Sequence, residues 1–475
     1  MAKLMFVQNV WHECAGLMSI SAVLKKNGHE TAAAIGREPR DFYADIEKEK
    51  PDVVGVPVLI GSQEWALRVS SDLKKRYGVK IMFGNLYATL FPGIMDENGF
   101  VDYICRGEGE TPVLRLMDGI RDNDVRSDIP NMWIRKNGAI HKNEIGPMED
   151  LDQLPFYDRE LYSKYDFFRM LPMVVPVDRY CPGNCTFCYE PVLKELYKGK
   201  GKFYRKRDPE LVIKELQVIK DKYYMKTRKN PLITFGSDNI NADREWFRRF
   251  FRMYREQIGF PYFCGITAAF VDEEQASLLK ASNCYMAAFG LESGNERIRQ
   301  QVLKKGLRTE QILEAGRLLN KYKVDFYTGN MFGIPGETTA EALETVELNI
   351  KIKPTTVVAF ILQPYPGTAI ERYAIDNSYM PGSDADRFLK TMHRESLIKQ
   401  GNIDELLNLH KLFIVAVKAP FLFPLIKRLI KLRPNVFFDM VFLFTHAVLY
   451  MKKFHRLSFV SLVKYSWRYF YFFRK

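Results

Sequence analysis

The chain has 475 residues, 47% of them hydrophobic and 27% charged, which is typical of a globular protein of roughly two to four domains. Its net charge of +13 does not indicate a nucleic-acid-binding protein, because the first 410 residues carry 57 basic and 56 acidic side chains. The excess lies between Lys411 and the C-terminus, where 13 Lys and Arg accompany one acid, Asp439. Residues 1–13 have the pattern of a strand rather than of a signal peptide, so we expect a cytoplasmic location.

Strands and helices alternate over residues 1–125, the first predicted domain. Apolar runs predict the strands, and helical periodicity predicts the segments that follow them. This order predicts a doubly wound, Rossmann-like parallel sheet, whose ligand crevice lies at the carboxyl ends of the strands. Glycine-containing turns at residues 61–62, 84–85 and 107–110 fall at that edge. The predicted strands are residues 4–8, 52–57, 80–84 and 101–105, and the predicted helices are residues 16–27 and 62–77.

Three further regions follow. Residues 126–170 show no clear periodicity and contain three prolines, so we interpret them as a linker. A second α/β series over residues 171–375 predicts a partial (β/α)6 barrel, with its site again at the carboxyl ends of the strands. Residues 376–475 are predicted to form a helical C-terminal region. The six predicted barrel strands are residues 173–178, 232–235, 262–267, 286–291, 325–332 and 356–362.

Three of the seven cysteines lie in Cys181-Pro-Gly-Asn-Cys185-Thr-Phe-Cys188, directly after a predicted strand. Such a loop can place three thiolates at three corners of a [4Fe–4S] cubane and leave the fourth iron open, because these clusters normally take four thiolates. Zinc is the alternative, but it takes a fourth Cys or His, and the nearest histidines, His141 and His393, are distant in sequence. The other four cysteines share no ligand spacing and are expected in the core: Cys14, Cys105, Cys264 and Cys284.

The cysteine loop resembles that of the radical S-adenosylmethionine (SAM) superfamily, and the resemblance extends over about residues 170–375. The order of parts is similar to the subfamily with an N-terminal cobalamin (B12)-binding domain. Five further segments, all at predicted strand ends, resemble segments of that subfamily, although Ser237 replaces the first Asp of its F-x-D-D-N turn. They are Cys105-Arg-Gly-Glu-Gly-Glu110, Phe235-Gly-Ser-Asp-Asn239, Gly290-Leu-Glu-Ser-Gly294, Gly333-Ile-Pro-Gly-Glu-Thr338 and Pro364-Tyr-Pro-Gly-Thr368.

The resemblance implies that the open iron binds SAM. An electron, from a donor such as flavodoxin or ferredoxin, would then cleave SAM to a 5′-deoxyadenosyl radical. Asp238 and Glu292 are candidates for polar contacts to the SAM amine or ribose, and Gly333 and Gly336 for close approach of the backbone to the adenine. The alternative is that Glu292 caps a helix and the glycines only form turns. No catalytic acid or base stands out from the sequence.

The resemblance also implies cobalamin at the strand-end turns of the first domain, where Gly61, Ser62, Gly84, Asn85 and Thr89 are candidate contacts. The D-x-H-x-x-G motif of histidine-ligated cobalamin is absent, as it often is in this subfamily. Where relatives often have G-G-x-H at the third turn, this chain has Gly-Asn-Leu-Tyr over residues 84–87. A domain of this shape that has lost its cofactor is therefore the alternative.

Residues 411–475 interleave 17 aromatic residues with the basic ones. Aromatic and basic residues together suit an anionic membrane surface, so we expect peripheral association with the inner face of the membrane. The longest apolar stretch, residues 436–451, is shorter than the ~20 residues of a spanning helix. A helical cap over the barrel is the alternative, and nucleic acid is not expected because the aromatic residues lie among aliphatic ones.

These inferences predict a cobalamin-dependent radical SAM C-methyltransferase that acts on an apolar or lipid-like small molecule. A radical cyclisation or ring rearrangement without methyl transfer is the alternative within the enzyme class. A non-catalytic iron–sulfur or cofactor-binding protein is the alternative outside that class.

Overall fold

The computed structural model describes residues 1–224, 232–237, 239–382, 393, 395–451 and 453. The chain divides into two compact units: residues 1–168 with 195–203, and residues 169–194 with 204–475. Each unit is built on its own sheet and its own apolar core.

The first unit contains a seven-stranded sheet with the order β2-β1-β3-β4-β5-β6-β7. Its first five strands are parallel and alternate with helices, which confirms the doubly wound arrangement predicted from the sequence. All five residues of β3 are buried, as expected for a parallel strand covered on both faces. The strands are Lys3–Gln8 (β1), Glu30–Ile35 (β2), Val53–Pro57 (β3), Lys80–Gly84 (β4), Tyr103–Cys105 (β5), Met132–Lys136 (β6) and Ala139–Lys142 (β7).

The helices of this unit follow the strands and end where the sequence carries stop signals. The longest one ends at Gly78, which has a positive φ of 65° and donates its N–H to the Lys74 carbonyl, a conformation that glycine adopts at little cost. The helices are Ala15–Lys26 (α1), Tyr43–Glu49 (α2), Gln63–Tyr77 (α3), Asn85–Leu90 (α4), Ile94–Glu97 (α5) and Glu110–Arg121 (α6).

Two parts of this sheet correct the sequence interpretation. Strand β2 was not predicted, and residues 126–170 are not a plain linker, because β6 and β7 form an antiparallel hairpin whose β6 pairs with β5. Asn137 and Gly138 join the hairpin with positive φ angles of 52° and 79°, as in the Asn-Gly turns that favour two-residue hairpins. The short alternation in β6 is obscured in the sequence by the prolines around it.

The second unit contains a six-stranded parallel sheet with the order β15-β14-β13-β12-β11-β8. This is the predicted partial (β/α)6 barrel, and each of its strands overlaps a predicted one. A small antiparallel ribbon, β9 with β10, lies beside it. The strands are Met173–Pro176 (β8), Asp178–Arg179 (β9), Arg205–Lys206 (β10), Ile233–Gly236 (β11), Tyr262–Gly265 (β12), Cys284–Glu292 (β13), Phe326–Phe332 (β14) and Thr356–Ile361 (β15).

The helices after the barrel strands are amphipathic, and those after residue 400 form the predicted helical region. Within the described part of the chain, no helix is both long and apolar enough to cross a membrane. The α-helices are Glu190–Leu196 (α7), Pro209–Val218 (α8), Arg244–Gln257 (α9), Glu273–Ala281 (α10), Thr309–Lys321 (α11), Thr339–Ile352 (α12), Ala369–Asp376 (α13), Ile403–Lys418 (α14), Phe423–Leu429 (α15) and Val436–Thr445 (α16).

Helix α14 covers the edge strand β15. The His410 ring nitrogen Nε2 lies 3.0 Å from the Ala359 carbonyl oxygen, and the rings of Phe413 and Phe332 pack edge to face. An open strand edge is otherwise free to pair with another chain, so this helix gives the last barrel strand a partner.

Candidate active site

The three predicted cluster cysteines lie on one loop after the β8–β9 segment, at the carboxyl end of the barrel. Cys181, Cys185 and Cys188 are each partly exposed. A Cβ added at Gly183 would lie 3.3 Å from the Cys181 sulfur and 3.9 Å from the Cys185 sulfur. The two sulfurs therefore border the same small space, which a side chain at residue 183 would crowd.

Burial and neighbouring charge set the pKa values of the thiols on this loop. Burial raises the pKa of Cys185, and it raises the pKa of Cys188 to about 11. Charge on Cys181 raises the pKa of both further, so these thiols keep their protons until a metal ion replaces them. Within the described residues no three Cys, His, Asp or Glu side chains lie close enough to hold a single metal ion. A cubane instead takes one thiolate at each corner, and the loop supplies three.

The loop is attached to its surroundings by hydrogen bonds from its backbone and from Thr186. The Cys181 amide donates to Glu190 Oε2 at 2.7 Å. Thr186 donates through its hydroxyl to the Val302 carbonyl at 2.7 Å and through its amide to the Leu303 carbonyl at 2.9 Å. Two hydrogen bonds from Thr186 thus hold the cysteine loop against the segment around residue 302.

Glu292 lies at the end of β13 and forms an ion pair with Lys305. The Lys305 Nζ to Glu292 Oε1 distance is 2.9 Å, and both side chains are largely buried. Burial lowers the pKa of Lys305, but Glu292 and Cys185 raise it, and the resulting pKa lies above the ordinary value. Glu292 has a positive φ of 67°, and its carboxylate occupies the space that a Cβ at Gly290 would need. Sequence reasoning missed Lys305, because no local spacing links it to Glu292.

Arg299 holds this part of the site together and was also missed. Its side chain is fully buried. It donates to the Ser293 carbonyl at 2.6 Å, to the Leu307 carbonyl at 2.9 Å and to the Thr309 hydroxyl at 2.5 Å. Arg299 therefore joins the turn after Glu292 to the segment that bears Lys305.

Gly333 and Gly336 form the turn after β14, with positive φ angles of 73° and 77°. The Glu337 carboxylate accepts the amides of Gly333 at 2.9 Å and Ile334 at 3.3 Å. Its other oxygen, Oε1, is buried without a hydrogen-bond partner among the described residues. Burial raises the pKa of Glu337 to about 8. Both glycines lie at the barrel edge as predicted, and their contact with a cofactor stays a prediction.

Asp238, the remaining predicted SAM contact, lies outside the described residues. Its neighbour Ser237 donates to Asp178 Oδ2 at 2.5 Å, and Tyr204 donates to the same oxygen at 3.2 Å. Lys206 Nζ lies 3.4 Å from that oxygen, in a pair that is almost completely buried. The buried Asp178 carboxylate thus joins the turn after β11 to the start of the cysteine loop, and no sequence pattern predicts this contact.

The candidate cobalamin residues differ in what they offer. Gly61 is exposed, with a φ of 84°, and Asn85 is exposed, with a φ of 72° at the start of α4. The Ser62 hydroxyl bonds within its own turn, to the amide and carbonyl of Leu59. The Thr89 hydroxyl is buried, donates to the Asn85 carbonyl and accepts the Gly107 amide. Gly84 precedes Asn85 in extended conformation. All five lie at the carboxyl edge of the sheet, and their role stays a prediction.

The segment that resembles the family's first-domain ending is held by Tyr197. The Glu108 amide donates to the Tyr197 hydroxyl at 2.7 Å. A Cβ at Gly107, whose φ is 70°, would overlap that hydroxyl. Glu108 Oε2 in turn accepts the Glu149 amide at 2.7 Å. These residues fasten the turn after β5.

Two family models match the chain. Residues 175–348 match the model of the radical SAM superfamily, and residues 7–117 match that of the B12 binding domain. The first match covers the cysteine loop, Glu292 and the Gly333–Gly336 turn. The second covers all five candidate cobalamin residues.

Two curated relatives are methyltransferases. An uncharacterized methyltransferase of Pyrococcus horikoshii is 26% identical over 346 residues, which are 72% of this chain and 73% of the relative. Cytidylyl-2-hydroxyethylphosphonate methyltransferase of Streptomyces wedmorensis is 23% identical over 430 residues, with 77% and 78% of the two chains covered.

Two solved structures share the fold. The radical SAM methyltransferase TsrM of Kitasatospora setae, with cobalamin and a [4Fe–4S] cluster bound, has a TM-score of 0.64 at 15% identity. The match covers 81% of this chain and 80% of TsrM. The cobalamin-dependent SAM radical enzyme OxsB, with aqua-cobalamin bound, also has a TM-score of 0.64, at 14% identity, and the match covers 79% of this chain and 55% of OxsB.

Proposed function

We propose that this chain, a radical SAM protein with a B12-binding domain, is an enzyme that methylates a carbon atom of an apolar or lipid-like small molecule. When bound, the cluster with SAM supplies a 5′-deoxyadenosyl radical, and cobalamin supplies a methyl group. The observation that carries the proposal is the cysteine loop at the carboxyl edge of a (β/α)6 sheet, beside the Glu292–Lys305 pair, in a chain whose first domain matches the B12-binding model.

The roles of the chain's own residues follow from charge and shape. Cys181, Cys185 and Cys188 hold the cluster, and their loop has space for it because residue 183 is a glycine. The Glu292 carboxylate suits a cationic amine or ribose hydroxyls, and the ion pair with Lys305 orients it. The Gly333 to Gly336 turn allows the backbone to approach a flat ring, because neither glycine presents a side chain.

The product distinguishes the reactions. Anaerobically reconstituted protein, given a strong reductant, SAM and an extract of apolar metabolites, is expected to form 5′-deoxyadenosine together with S-adenosylhomocysteine. Formation of 5′-deoxyadenosine alone would contradict methyl transfer and favour a cyclisation or ring rearrangement. Formation of neither product, with four iron atoms per chain present, would favour a non-catalytic iron–sulfur protein.

Cobalamin binding is tested separately through cobalt content. Protein purified from cobalamin-fed cells is expected to hold about one cobalt per chain. Asn85→Trp, which places a large ring at an exposed turn, is expected to lower that content. Asn98→Trp, after α5 and away from the candidate turns in sequence, is the control. Equal cobalt in both variants would contradict the assignment of the Gly84–Asn85 turn to cobalamin.

We also propose that the second unit docks on an anionic membrane from the cytoplasmic side, where flavodoxin or ferredoxin serves as electron donor. Helix α16 is apolar on two sides. Its Phe438 is buried against the core, and its other side exposes apolar residues. Nine of the large apolar residues that are exposed in the described structure fall between residues 421 and 449. They are Phe421, Leu425, Leu432, Val436, Phe437, Met440, Leu443, Phe444 and Leu449.

The positive charge of this segment favours an anionic membrane surface as the binding partner of the exposed apolar face. Arg428, Lys431 and Arg433 are exposed and lie among these apolar residues in sequence, and each cation near an anionic leaflet contributes about 1 kcal/mol. The one acid after residue 405, Asp439, is paired with Lys411 at 2.8 Å. Residues 454–475 add five cations, no acid and nine aromatic residues in sequence. An exposed apolar face in a segment rich in cations is the pattern of an interfacial helix.

Vesicle sedimentation tests the membrane proposal. The wild type is expected to bind vesicles containing phosphatidylserine and to bind neutral vesicles less. Val436→Ser with Phe444→Ser should reduce binding several-fold, whereas Phe270→Ser with Leu313→Ser, exposed residues elsewhere, should not. Self-association without vesicle binding, abolished by the first pair, would show that a second copy covers the face. If the membrane is the site of the substrate, radiolabelled methyl groups from SAM should appear in the organic extract rather than the aqueous one.

A further inference from the structure

One cluster cysteine accepts a hydrogen bond from a side chain on a different strand-end turn. Asn239 Nδ2 lies 2.8 Å from the Cys181 sulfur, which also accepts the Gly183 amide at 3.4 Å. The sulfur of Cys188 accepts a backbone amide, that of Glu190, at 3.5 Å. Cys181 and Asn239 are 58 residues apart, and the parallel pairing of β8 with β11 brings them together.

The orientation of the Asn239 amide is determined by Thr267. The Thr267 hydroxyl donates to Asn239 Oδ1, so the N–H side of the amide faces the sulfur. The Thr267 backbone is itself held by Asn241: its amide donates to Asn241 Oδ1 at 2.8 Å, and its carbonyl accepts from Asn241 Nδ2 at 3.1 Å. Asn241 is almost completely buried. The turn after β11 and the end of β12 therefore hold the donor rigidly against the sulfur.

We propose that Asn239, held by Thr267, raises the reduction potential of the [4Fe–4S] cluster through its hydrogen bond to the Cys181 thiolate. The step concerned adds one electron from an external low-potential donor to the oxidised cluster, which becomes more negative by one charge. An N–H donor to a cluster sulfur stabilises the more negative form, and such hydrogen bonds tune cluster potentials. The inference rests on the proposed function only in requiring that the cluster is present.

The donor acts on this ligand selectively. Backbone amide contacts of 3.4 to 3.5 Å have the ordinary length of a hydrogen bond to sulfur, and Cys181 and Cys188 each have one. The 2.8 Å contact from Asn239 is shorter and comes from a side chain that can be changed without altering the cysteine loop. Asn239 is therefore a residue that can set the potential without being a ligand.

Redox titration followed by electron paramagnetic resonance tests the proposal in reconstituted full-length protein with dithionite as reductant. Asn239→Ala removes the donor, and Thr267→Val leaves Asn239 in place but frees its amide to turn. We expect a lower midpoint potential in both variants, with the larger shift in Asn239→Ala, while iron and sulfide stay at about four per chain. Asn320→Ala, which removes an amide from α11 in the same unit, should not move the potential.

An unchanged potential in a fully loaded Asn239→Ala variant would overturn the proposal. If that variant loses iron, the Thr267→Val variant decides: an unchanged potential there would also overturn it. Failure of the proposed function gives a different result, because it would appear in the wild type itself. The wild type would then hold no [4Fe–4S] cluster, or it would hold the cluster at a normal potential and form no 5′-deoxyadenosine.

Discussion

Lys305 and Glu292 are paired at 2.9 Å: Glu292 is the last residue of β13, and Lys305 follows the π-helical turn Ile298–Val302. The pair lies within electrostatic reach of Cys185, whose thiol pKa both residues affect in opposite directions. A carboxylate and an ammonium beside the Cys185 thiol are complementary to the ammonium and carboxylate of an amino acid. This geometry makes the pair the most informative target for substitution.

We expect Lys305→Met to weaken SAM binding by a factor of at least about ten, since the SAM carboxylate loses a cationic partner and a hydrogen bond to a charged group contributes about 1.5–3 kcal/mol. The loss leaves the Glu292 carboxylate buried without its partner. Lys304→Met changes the exposed neighbouring lysine and should bind SAM as the wild type does. Isothermal titration with the reconstituted protein measures both. Equal SAM affinity in the two variants would contradict the role given to Lys305.

Arg299→Lys should destabilise the second unit by about 3 kcal/mol or more, because a buried guanidinium that satisfies several acceptors is replaced by an ammonium that reaches fewer. The iron content after reconstitution should also fall, since Thr186 of the cysteine loop is bonded to the segment that Arg299 holds. Arg297→Lys, at an exposed ion pair with Glu341, should change stability by less than about 1 kcal/mol. Urea unfolding and iron analysis give the comparison.

Gly107→Ala should lower the unfolding temperature of the first unit. The added Cβ overlaps the Tyr197 hydroxyl and a φ of 70° is strained for alanine, so the cost is about 2 kcal/mol or more. Gly99→Ala, where nothing lies within 4 Å of the added atom, is the control. If Gly107→Ala unfolds at the same temperature as the wild type, the Tyr197 side chain moves aside at little cost, and the prediction is wrong.

The second unit should lose stability in acid through one buried histidine, His410, and two partly buried ones, His393 and His446. Burial lowers the pKa of His393 and of His446 to about 4 and lowers that of His410 as well. The unfolded chain, with an ordinary histidine pKa near ~6.5, then binds more protons than the folded one, so stability falls as the pH falls from about 6.5 towards 4. His446→Phe should reduce this slope in urea unfolding at pH 7 and pH 5. His141→Phe, on the exposed strand β7, should leave the slope unchanged.

Glu337 should change the stability of the second unit with pH in the direction opposite to that of the histidines. Its folded pKa of about 8 lies above the ordinary value of about 4.5, so its contribution is present below pH 4.5 and is lost as the pH rises through 8. Glu337→Gln keeps an oxygen for the Gly333 amide and removes the charge. The variant should therefore gain stability relative to the wild type between pH 5 and pH 8.5. A constant difference over that range would show that Glu337 stays ionised.

Much of this architecture is determined by local patterns in the sequence. The six barrel strands, four of the five parallel strands of the first sheet and the C-x3-C-x2-C loop could be predicted, because apolar runs, glycine turns and ligand spacing each act over a few residues. Strand β2 was missed because Thr-Ala-Ala-Ala has weak strand character. The β6–β7 hairpin was missed although Asn137-Gly138 is a turn signal.

The tertiary structure alone decided which side chains meet at the strand ends of each unit. Asn239 reaches Cys181 because β11 pairs with β8, Lys305 reaches Glu292 because the chain folds back after β13, and Tyr197 reaches Gly107 across 90 residues. No spacing along the chain encodes these pairs, since each depends on which strands become neighbours and on how their turns are packed. The sequence by itself thus determines most of the elements and the cysteine loop, and the packing of strand ends determines which polar residues contact that loop and its neighbouring turns.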